Sequence, residues 1–217
     1  MRKRKTRLDQ GSDIMASSQD HAKAKALIRT KRGNILIDVG ANDGYYSMLL
    51  RRNFKKVYAI EPFPKSVSVL KRNLRNGKIT NVEVLPFAVG SRTGKTKMYL
   101  SLRGTKCHSL LRVGERTIIV DCYTLNDLFP DYEGIDLIKV DVEGGEIEVL
   151  LGAEKIMKNV KSWFIEMHDL GEILRGLPHS RERTRGHNDR IDKMLKGYGY
   201  ETEWILERWV YAERKKC

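Results

Sequence analysis

Five short apolar runs in this 217-residue chain end in side chains that can do chemistry. Ile35 to Ile37 leads into Asp38, Gly40, Asn42, Asp43 and Gly44. Val57 to Ile60 leads into Glu61, Pro62 and Phe63, and the run from Val82 leads into Pro86, Phe87 and Ala88. Ile135 to Val140 leads into Asp141, Glu143 and Glu146, and Trp163 to Ile165 into Glu166, His168 and Asp169. If the runs are parallel strands of an open sheet, these ends share the edge at which such sheets bind ligands. Four of the five ends carry an acidic or polar group, which a sheet does not need for its own sake.

The first turn, Gly40-Ala41-Asn42-Asp43-Gly44, permits tight turning and close backbone approach to a ligand. It lacks the G-x-G-x-x-G spacing of a dinucleotide site. Asp43 stands at the start of the following helix and would repel a pyrophosphate docked there. A nucleoside cofactor without phosphates suits the turn better. Glu61 follows Gly40 by 21 residues, close to the roughly 20 expected of a carboxylate that accepts from ribose hydroxyls. Pro62, Phe63 and Phe87 offer apolar surface to a base. The bland alternative makes Gly40 and Gly44 turn residues and Glu61 a helix-capping acid, and the spacing of Glu61 weighs against it.

Three residues suit proton transfer or the positioning of an acceptor: Asp141, Glu143 and His168, with Asp141 foremost. Glu143 could equally pair with a nearby Lys or Arg. A histidine at a strand end beside an Asp is often only a turn residue. The same three side chains could gather a divalent metal, although no local spacing demands one.

These groups need a scaffold, and its elements are readable. The chain turns helical from Ser18, with Ala22, Ala24, Ala26 and Leu27, and breaks at Gly33. A helix is expected from Asp43 to Asn53, and another from Pro64, carrying Val67, Val69, Leu70 and Leu74 and stopping near Gly77. Lys71, Arg72 and Arg75 form its solvent face. Strands at Ile35, Val57 and Val82 to Phe87 separated by helices imply a parallel sheet with helices on both faces. Lys97 to Leu100 and Thr117 to Val120 read as extra strands around a polar loop at Gly104 to Gly114. The alternation then resumes with Ile135 to Val140, a helix from Ile147 that ends at Gly152, and Trp163 to Ile165. Pro178 to Arg190, with Arg181, Arg183, Arg185 and Arg190, reads as a solvated loop, or else as a lid or anion contact. A helix around Ile191 to Leu195 follows, and Trp204 to Leu206 with Trp209 to Tyr211 could form a closing hairpin. Trp163, Trp204 and Trp209 are expected in the core, and Tyr45 and Tyr46 divided between core and pocket.

Composition bounds the rest. Hydrophobic residues make up 41% and charged residues 32%, which allows a real core and excludes low-complexity classes. No apolar run approaches the ~20 residues of a membrane helix. The formal charge is +13, from 41 Lys+Arg against 28 Asp+Glu. Much of the excess lies at the ends, in Arg2, Lys3, Arg4, Lys5 and Arg7 and in Arg214, Lys215 and Lys216. Residues 1–18 read as a basic tail without the apolar stretch of a secretory signal, and residues 19–217 as one domain. Cys107, Cys122 and Cys217 lack metal-site spacing and read as free thiols, which points to a cytoplasmic protein.

The segments IDVGANDGYYS, YAIEPFP, LPFAVG, TLNDLF and IDLIKVDVEGGEIEVLLGAEKIMK, from about Asn34 to Asp169, resemble the FkbM-like methyltransferases of the class I S-adenosylmethionine-dependent superfamily. The pairing of DVGAN with KVDVEG is the most specific part. The resemblance implies a Rossmann-like α/β sheet, mostly parallel with an antiparallel C-terminal hairpin. It implies S-adenosyl-L-methionine as cofactor, with Gly40, Asn42 and Gly44 at its amino-acid end and Glu61 at the ribose; Asp38 and Pro62 are counted among the cofactor-binding residues. Phe87 and Ala88 would lie by the adenine, and Asp141 would face the methionine end and the reacting methyl. Asp43 departs from the family, which often has an apolar residue there. The expected reaction is O-methylation of a hydroxyl on a small molecule or glycan. Methylation of RNA or another polyanion is the alternative that +13 supports, and a non-catalytic nucleoside-binding module is a third; the turn spacing disfavours an NAD-dependent oxidoreductase. The sequence leaves the acceptor, any metal requirement and the oligomeric state open.

Overall fold

The computed structural model describes residues 21–100, 116–131, 133–168, 180–205 and 208–215. A helix over residues 21–30 (α1) leads to β1 (Gly33–Val39), α2 (Tyr45–Leu50), β2 (Phe54–Ile60), α3 (Pro64–Asn76) and β3 (Val82–Leu85). Next come β4 (Ala88–Val89), β5 (Gly94–Tyr99), β6 (Thr117–Tyr123), α4 (Leu125–Leu128) and β7 (Ile135–Val140). The chain continues through α5 (Glu146–Leu151), β8 (Ser162–Glu166), α6 (Ser180–Gly197), β9 (Tyr200–Ile205) and β10 (Trp209–Arg214).

Seven strands form one sheet in the order β3-β2-β1-β7-β8-β10-β9. The first five are parallel, and β10 runs antiparallel to both β8 and β9. This is the mostly parallel α/β sheet with a C-terminal hairpin that the sequence implied. The chain builds outward from β1 to β3, then returns to lay β7 on the free edge of β1. Strand order therefore reverses between β1 and β7, and a crevice opens beyond the register pair Val39 and Val140. A small second sheet, β4-β6-β5, flanks that edge.

Each face of the large sheet has its own apolar layer. One joins Leu36 and Val57 to Ala24 and Ile28 of α1, Leu50 of α2, and Leu70 and Leu74 of α3. The other joins Ile37, Val39 and Ile138 to Leu125, to Ile147, Val149 and Leu150 of α5, and to Ile191 and Leu195 of α6. Helix α3 shows why these faces form. Pro64 takes its first turn, where a missing N–H costs nothing, and Val67, Leu70 and Leu74 recur on one buried face. Lys71, Arg72 and Arg75 remain exposed on the other. Each such buried side chain contributes about 1.5–3 kcal/mol.

Several expectations need correction. The helix placed at Asp43 to Asn53 is only the six residues of α2, because Gly44 has φ 89° and cannot be helical. The third strand stops at Leu85, since Pro86 has no N–H to continue the ladder. The first helix ends at residue 30, just ahead of the break expected at Gly33, which opens β1, and a side chain there would overlap that of Asp136. The Arg-rich stretch is no loop, because α6 begins at Ser180 and runs through it; Arg185 and Arg190 are exposed on that helix. Trp163 and Trp209 are fully buried, whereas Trp204 is 36% exposed, with Nε1 donating to Asp192 Oδ1 at 3.3 Å. Tyr45 is likewise exposed, and Tyr46 packs near Trp209 rather than in the crevice. Cys122 is a buried free thiol, while residues 1–18, the 104–114 loop, Asp169, Cys107 and Cys217 lie outside the described residues. Among the described residues no helix is long and apolar enough to cross a membrane.

Candidate cofactor and reaction site

The crevice beyond β1 and β7 is a cleft with two chemically different ends. One is lined by Asn42, Glu61, Pro62, Phe87 and Ala88, with Ile60, Val89 and Met98, and Gly40 sits between the two ends, against Asp141. The other is lined by Asp141, Val142, Glu143 and Gly145.

Backbone geometry builds the first end. Gly40 has φ 80°, and a Cβ there would overlap the carbonyl oxygen of Asp141. The two strand ends can meet this closely only over a glycine. Asn42 takes φ 49°, an uncommon left-handed conformation for a non-glycine residue. Its N–H thereby donates to Glu61 Oε2 at 2.9 Å, and its Oδ1 accepts from Ser66 Oγ at 3.1 Å. The N–H of Phe63 donates to Glu61 Oε1 at 2.8 Å. Glu61 is thus held by both oxygens at the cleft wall, 6% exposed. Burial pushes its carboxyl up to about 7, and the two N–H donors only partly offset that cost.

Side chains build the second end. Glu146, the first residue of α5, is fully buried. Its Oε1 accepts from the N–H of Gly144 at 2.9 Å and meets His168 Nδ1 at 2.8 Å; its Oε2 meets His187 Nε2 at 3.0 Å. Burial alone would raise its carboxyl. The hydrogen bonds from His168 and His187, the charge of His168 and the Gly144 N–H outweigh burial and bring it down to about 2. An ionised carboxylate only accepts, so both imidazole nitrogens are donors. With Nδ1 so fixed, His168 Nε2 lies 3.6 Å from Asp141 Oδ1 and 3.6 Å from Glu143 Oε2. Burial would lower the pKa of His168, but Glu146, Asp141 and Glu143 overcome it and raise it to about 10. Burial pushes Glu143 up to about 7; His168 opposes the shift, and Asp141, Glu166 and Glu146 add to it. Glu143 also has φ 55°, so both non-glycine residues with left-handed backbone in this cleft carry side-chain or backbone contacts of the site.

Beneath the cleft, Lys139 is almost wholly buried, its Nζ 3.2 Å from Asp38 Oδ1 and 3.4 Å from Asp141 Oδ2. Burial would lower the pKa of this lysine, yet Asp38, Asp141 and Glu166 hold it above its ordinary value. Ser47 Oγ donates to Asp38 Oδ2 at 2.6 Å.

Gly40, Asn42, Glu61, Pro62, Phe87, Ala88, Asp141 and Glu143 thus line the cleft, and His168 stands directly behind the last two. Asp38 does not line it; it lies underneath as the partner of Ser47 and Lys139. Gly44 is not a lining residue either, and serves as the left-handed cap before α2. Glu143, for which a Lys or Arg partner is the alternative, has His168 at 3.6 Å, and its charge also acts on Arg208. Sequence reasoning missed Lys139, Glu146 as a hub, Met98 and His187. The last was findable, because His187, Ile191 and Leu195 recur every fourth residue and form the buried face of α6.

Comparison with known proteins adds an independent line. The family model described as the methyltransferase FkbM domain matches residues 38–202. Methyltransferase sdnD of Sordaria araneosa is 27% identical over 211 residues, covering 81% of this chain and 76% of its own length. Methyltransferase 1 of Beauveria bassiana is 23% identical over 146 residues, covering 56% of this chain and 59% of its own. The crystal structure of the FkbM methyltransferase of Methylobacillus flagellatus superposes with a TM-score of 0.55 at 18% identity, over 83% of this chain and 43% of that one. A candidate methyltransferase of Streptococcus mutans, crystallised with S-adenosylhomocysteine, superposes at 0.52 and 13% identity over 85% and 90%. The two structural likenesses concern the fold, and the chain spans less than half of the Methylobacillus protein.

Proposed function

The chain belongs to the FkbM family of S-adenosylmethionine-dependent methyltransferases, and from that premise we propose that it methylates a hydroxyl on a small molecule or glycan. The observation that carries the proposal is the polarity of the cleft. An apolar flank at Pro62, Phe87 and Ala88, with Glu61 beside it, faces a cluster of Asp141, Glu143 and His168 at the other end. The residues fit the cofactor. The bare backbone at Gly40 leaves room for close approach, and a doubly anchored buried carboxylate suits a ribose diol. S-adenosylmethionine, when bound, supplies an electrophilic methyl on a sulfonium cation.

The chain's own residues supply position and proton handling. Glu61 accepts the ribose hydroxyls, and Asn42 and Phe63 keep its carboxylate from rotating. Asp141, tied to Lys139 through Oδ2, presents Oδ1 to the reacting end, where negative charge favours a cation. Glu143, pushed up to about 7 by burial and by neighbouring carboxylates, suits removal of a hydroxyl proton near neutral pH. His168 orients both carboxylates. The same acidity disfavours RNA or another polyanion, whose phosphates would meet Asp141 and Glu143 at the reacting end.

Calorimetric titration with S-adenosylhomocysteine, with NAD as control, tests the reading. Micromolar binding of the first alone is expected, and Glu61→Ala should weaken it by more than about 1 kcal/mol. Unchanged affinity in that variant removes Glu61 from the site, and no binding to the wild-type chain defeats the proposal.

A further inference from the structure

We propose that Asp141, Glu143 and His168 form a divalent-cation site at the reacting end of the cleft. One ligand atom from each lies within 4.8 Å of the others, and His168 Nε2 sits 3.6 Å from each carboxylate oxygen. A hydrogen bond would be shorter. Two ligands about 2.1 Å from one tetrahedral ion lie about 3.4 Å apart, so Nε2 and each carboxylate oxygen already stand close to the spacing of ligands around an ion.

The histidine supplies the second, independent observation. Its side chain is 7% exposed, and its Nδ1 is fixed by Glu146 at 2.8 Å. That leaves Nε2 as the atom aimed between the two carboxylates, and an ion bound there takes the place of its proton, which is released to solvent. A metal-bound histidine is oriented in this way by a carboxylate on its far nitrogen. Glu146 is itself fixed by the Gly144 N–H and by His187, so the ring cannot swing away without breaking α5 from α6. The second oxygen of Asp141 is engaged by Lys139 at 3.4 Å, which turns Oδ1 toward the cluster. Glu143 holds a left-handed backbone, φ 55°, to bring its carboxylate to the same point. One imidazole with two carboxylates suits a first-row divalent ion such as Mn²⁺, Fe²⁺ or Zn²⁺ better than Mg²⁺ or Ca²⁺. Asp141 and Glu143 line the cleft, so the ion's remaining positions open toward an arriving acceptor oxygen. Only that last role rests on the methyl-transfer reading; the cation site does not.

The test is titration of the chelator-treated full chain with Mn²⁺, followed by electron paramagnetic resonance. One Mn²⁺ per chain is expected, with a coupling to an imidazole nitrogen. Glu143→Gln should weaken binding at least tenfold, and His168→Gln should abolish the nitrogen coupling. Far-ultraviolet circular dichroism and a cooperative urea transition serve as the check that each variant folds. A folded Glu143→Gln protein with wild-type Mn²⁺ affinity, or bound Mn²⁺ without nitrogen coupling, overturns the inference. The two readings fail separately. A chain that binds S-adenosylhomocysteine and no Mn²⁺ leaves His168 as an ion-paired bridge between the carboxylates. A chain that binds Mn²⁺ with nitrogen coupling but no nucleoside keeps the cation site and loses the methyl-transfer reading.

Discussion

Glu61 and Glu146 are the same residue type, buried to 6% and 0% exposure at the same edge of one sheet, yet their carboxyls are driven in opposite directions. Glu61 goes up to about 7 and Glu146 down to about 2. Burial opposes ionisation in both cases. The difference lies in the partners. Glu61 receives two backbone N–H groups and faces open cleft, whereas Glu146 receives a backbone N–H and two imidazoles. Glu146 is completed within the chain and acts as structure. Glu61 is incomplete, and a ligand carrying hydroxyl donors would complete it. A buried carboxylate left partly unsatisfied marks a binding position more clearly than burial or acidity does alone.

The sharpest way to break this contrast is Glu146→Gln. It removes the anion between His168 and His187, and an uncompensated buried pair costs about 3–5 kcal/mol. Urea unfolding at pH 7 should show a loss of that order. The pH dependence carries the sign. A carboxyl lowered from 4.5 to about 2 gives stability that is present above pH 4.5 and is lost as pH falls toward 2. His168, raised from 6.5 to about 10, shows the same interaction from its other end, present below pH 6.5 and lost as pH rises through 10. The variant should lack the first slope and show a smaller second one, since Asp141 and Glu143 still act on His168. A variant as stable as the wild type would mean that Glu146 is no hub.

A smaller effect is expected of His187→Leu. The substitution keeps an apolar surface beside Ile191 and Leu195 and removes the donor to Glu146 Oε2. A hydrogen bond to a buried charge contributes about 1.5–3 kcal/mol, so the loss in urea unfolding should be about 2 kcal/mol. An unchanged midpoint would show that Gly144 and His168 satisfy Glu146 by themselves.

The same division separates what could be read in the sequence from what could not. The nucleoside end is assembled from three contiguous turns, at Gly40, Glu61 and Phe87, each directly following an apolar run. Turn chemistry and strand spacing are local signals, so most of the lining residues were within reach, whereas the reversal of strand order between β1 and β7 is a matter of pairing between distant strands. The reacting end depends on pairs 22 and 41 residues apart, Glu146 with His168 and Glu146 with His187. Nothing local announces such a pair. Lys139 hid in the same way, as a charge inside an apolar strand whose partners Asp38 and Asp141 come from two strand ends. Asp38 misled for the opposite reason. It sits beside the glycine turn in sequence, but strand alternation points it under the sheet edge, toward Ser47.

The smallest and most diagnostic change is Glu61→Gln, because its sign should be opposite. A carboxyl raised from 4.5 to about 7 makes the folded state bind more protons across that window. Stability therefore falls as pH rises from 4.5 to 7, by about 3 kcal/mol for a shift of this size. A carboxamide removes the penalty, but its NH₂ leaves one of the Asn42 and Phe63 N–H donors without an acceptor, at about 1–2 kcal/mol. The net expectation is a gain of about 1 kcal/mol at pH 8 and a loss of about 1 kcal/mol at pH 4, where the wild-type carboxyl is already neutral. Affinity for S-adenosylhomocysteine should fall in the same variant. Stability and binding moving apart at pH 8 is what a residue kept for a ligand requires. Stability falling at both pH values would place Glu61 with Glu146, as a carboxylate already satisfied by the chain.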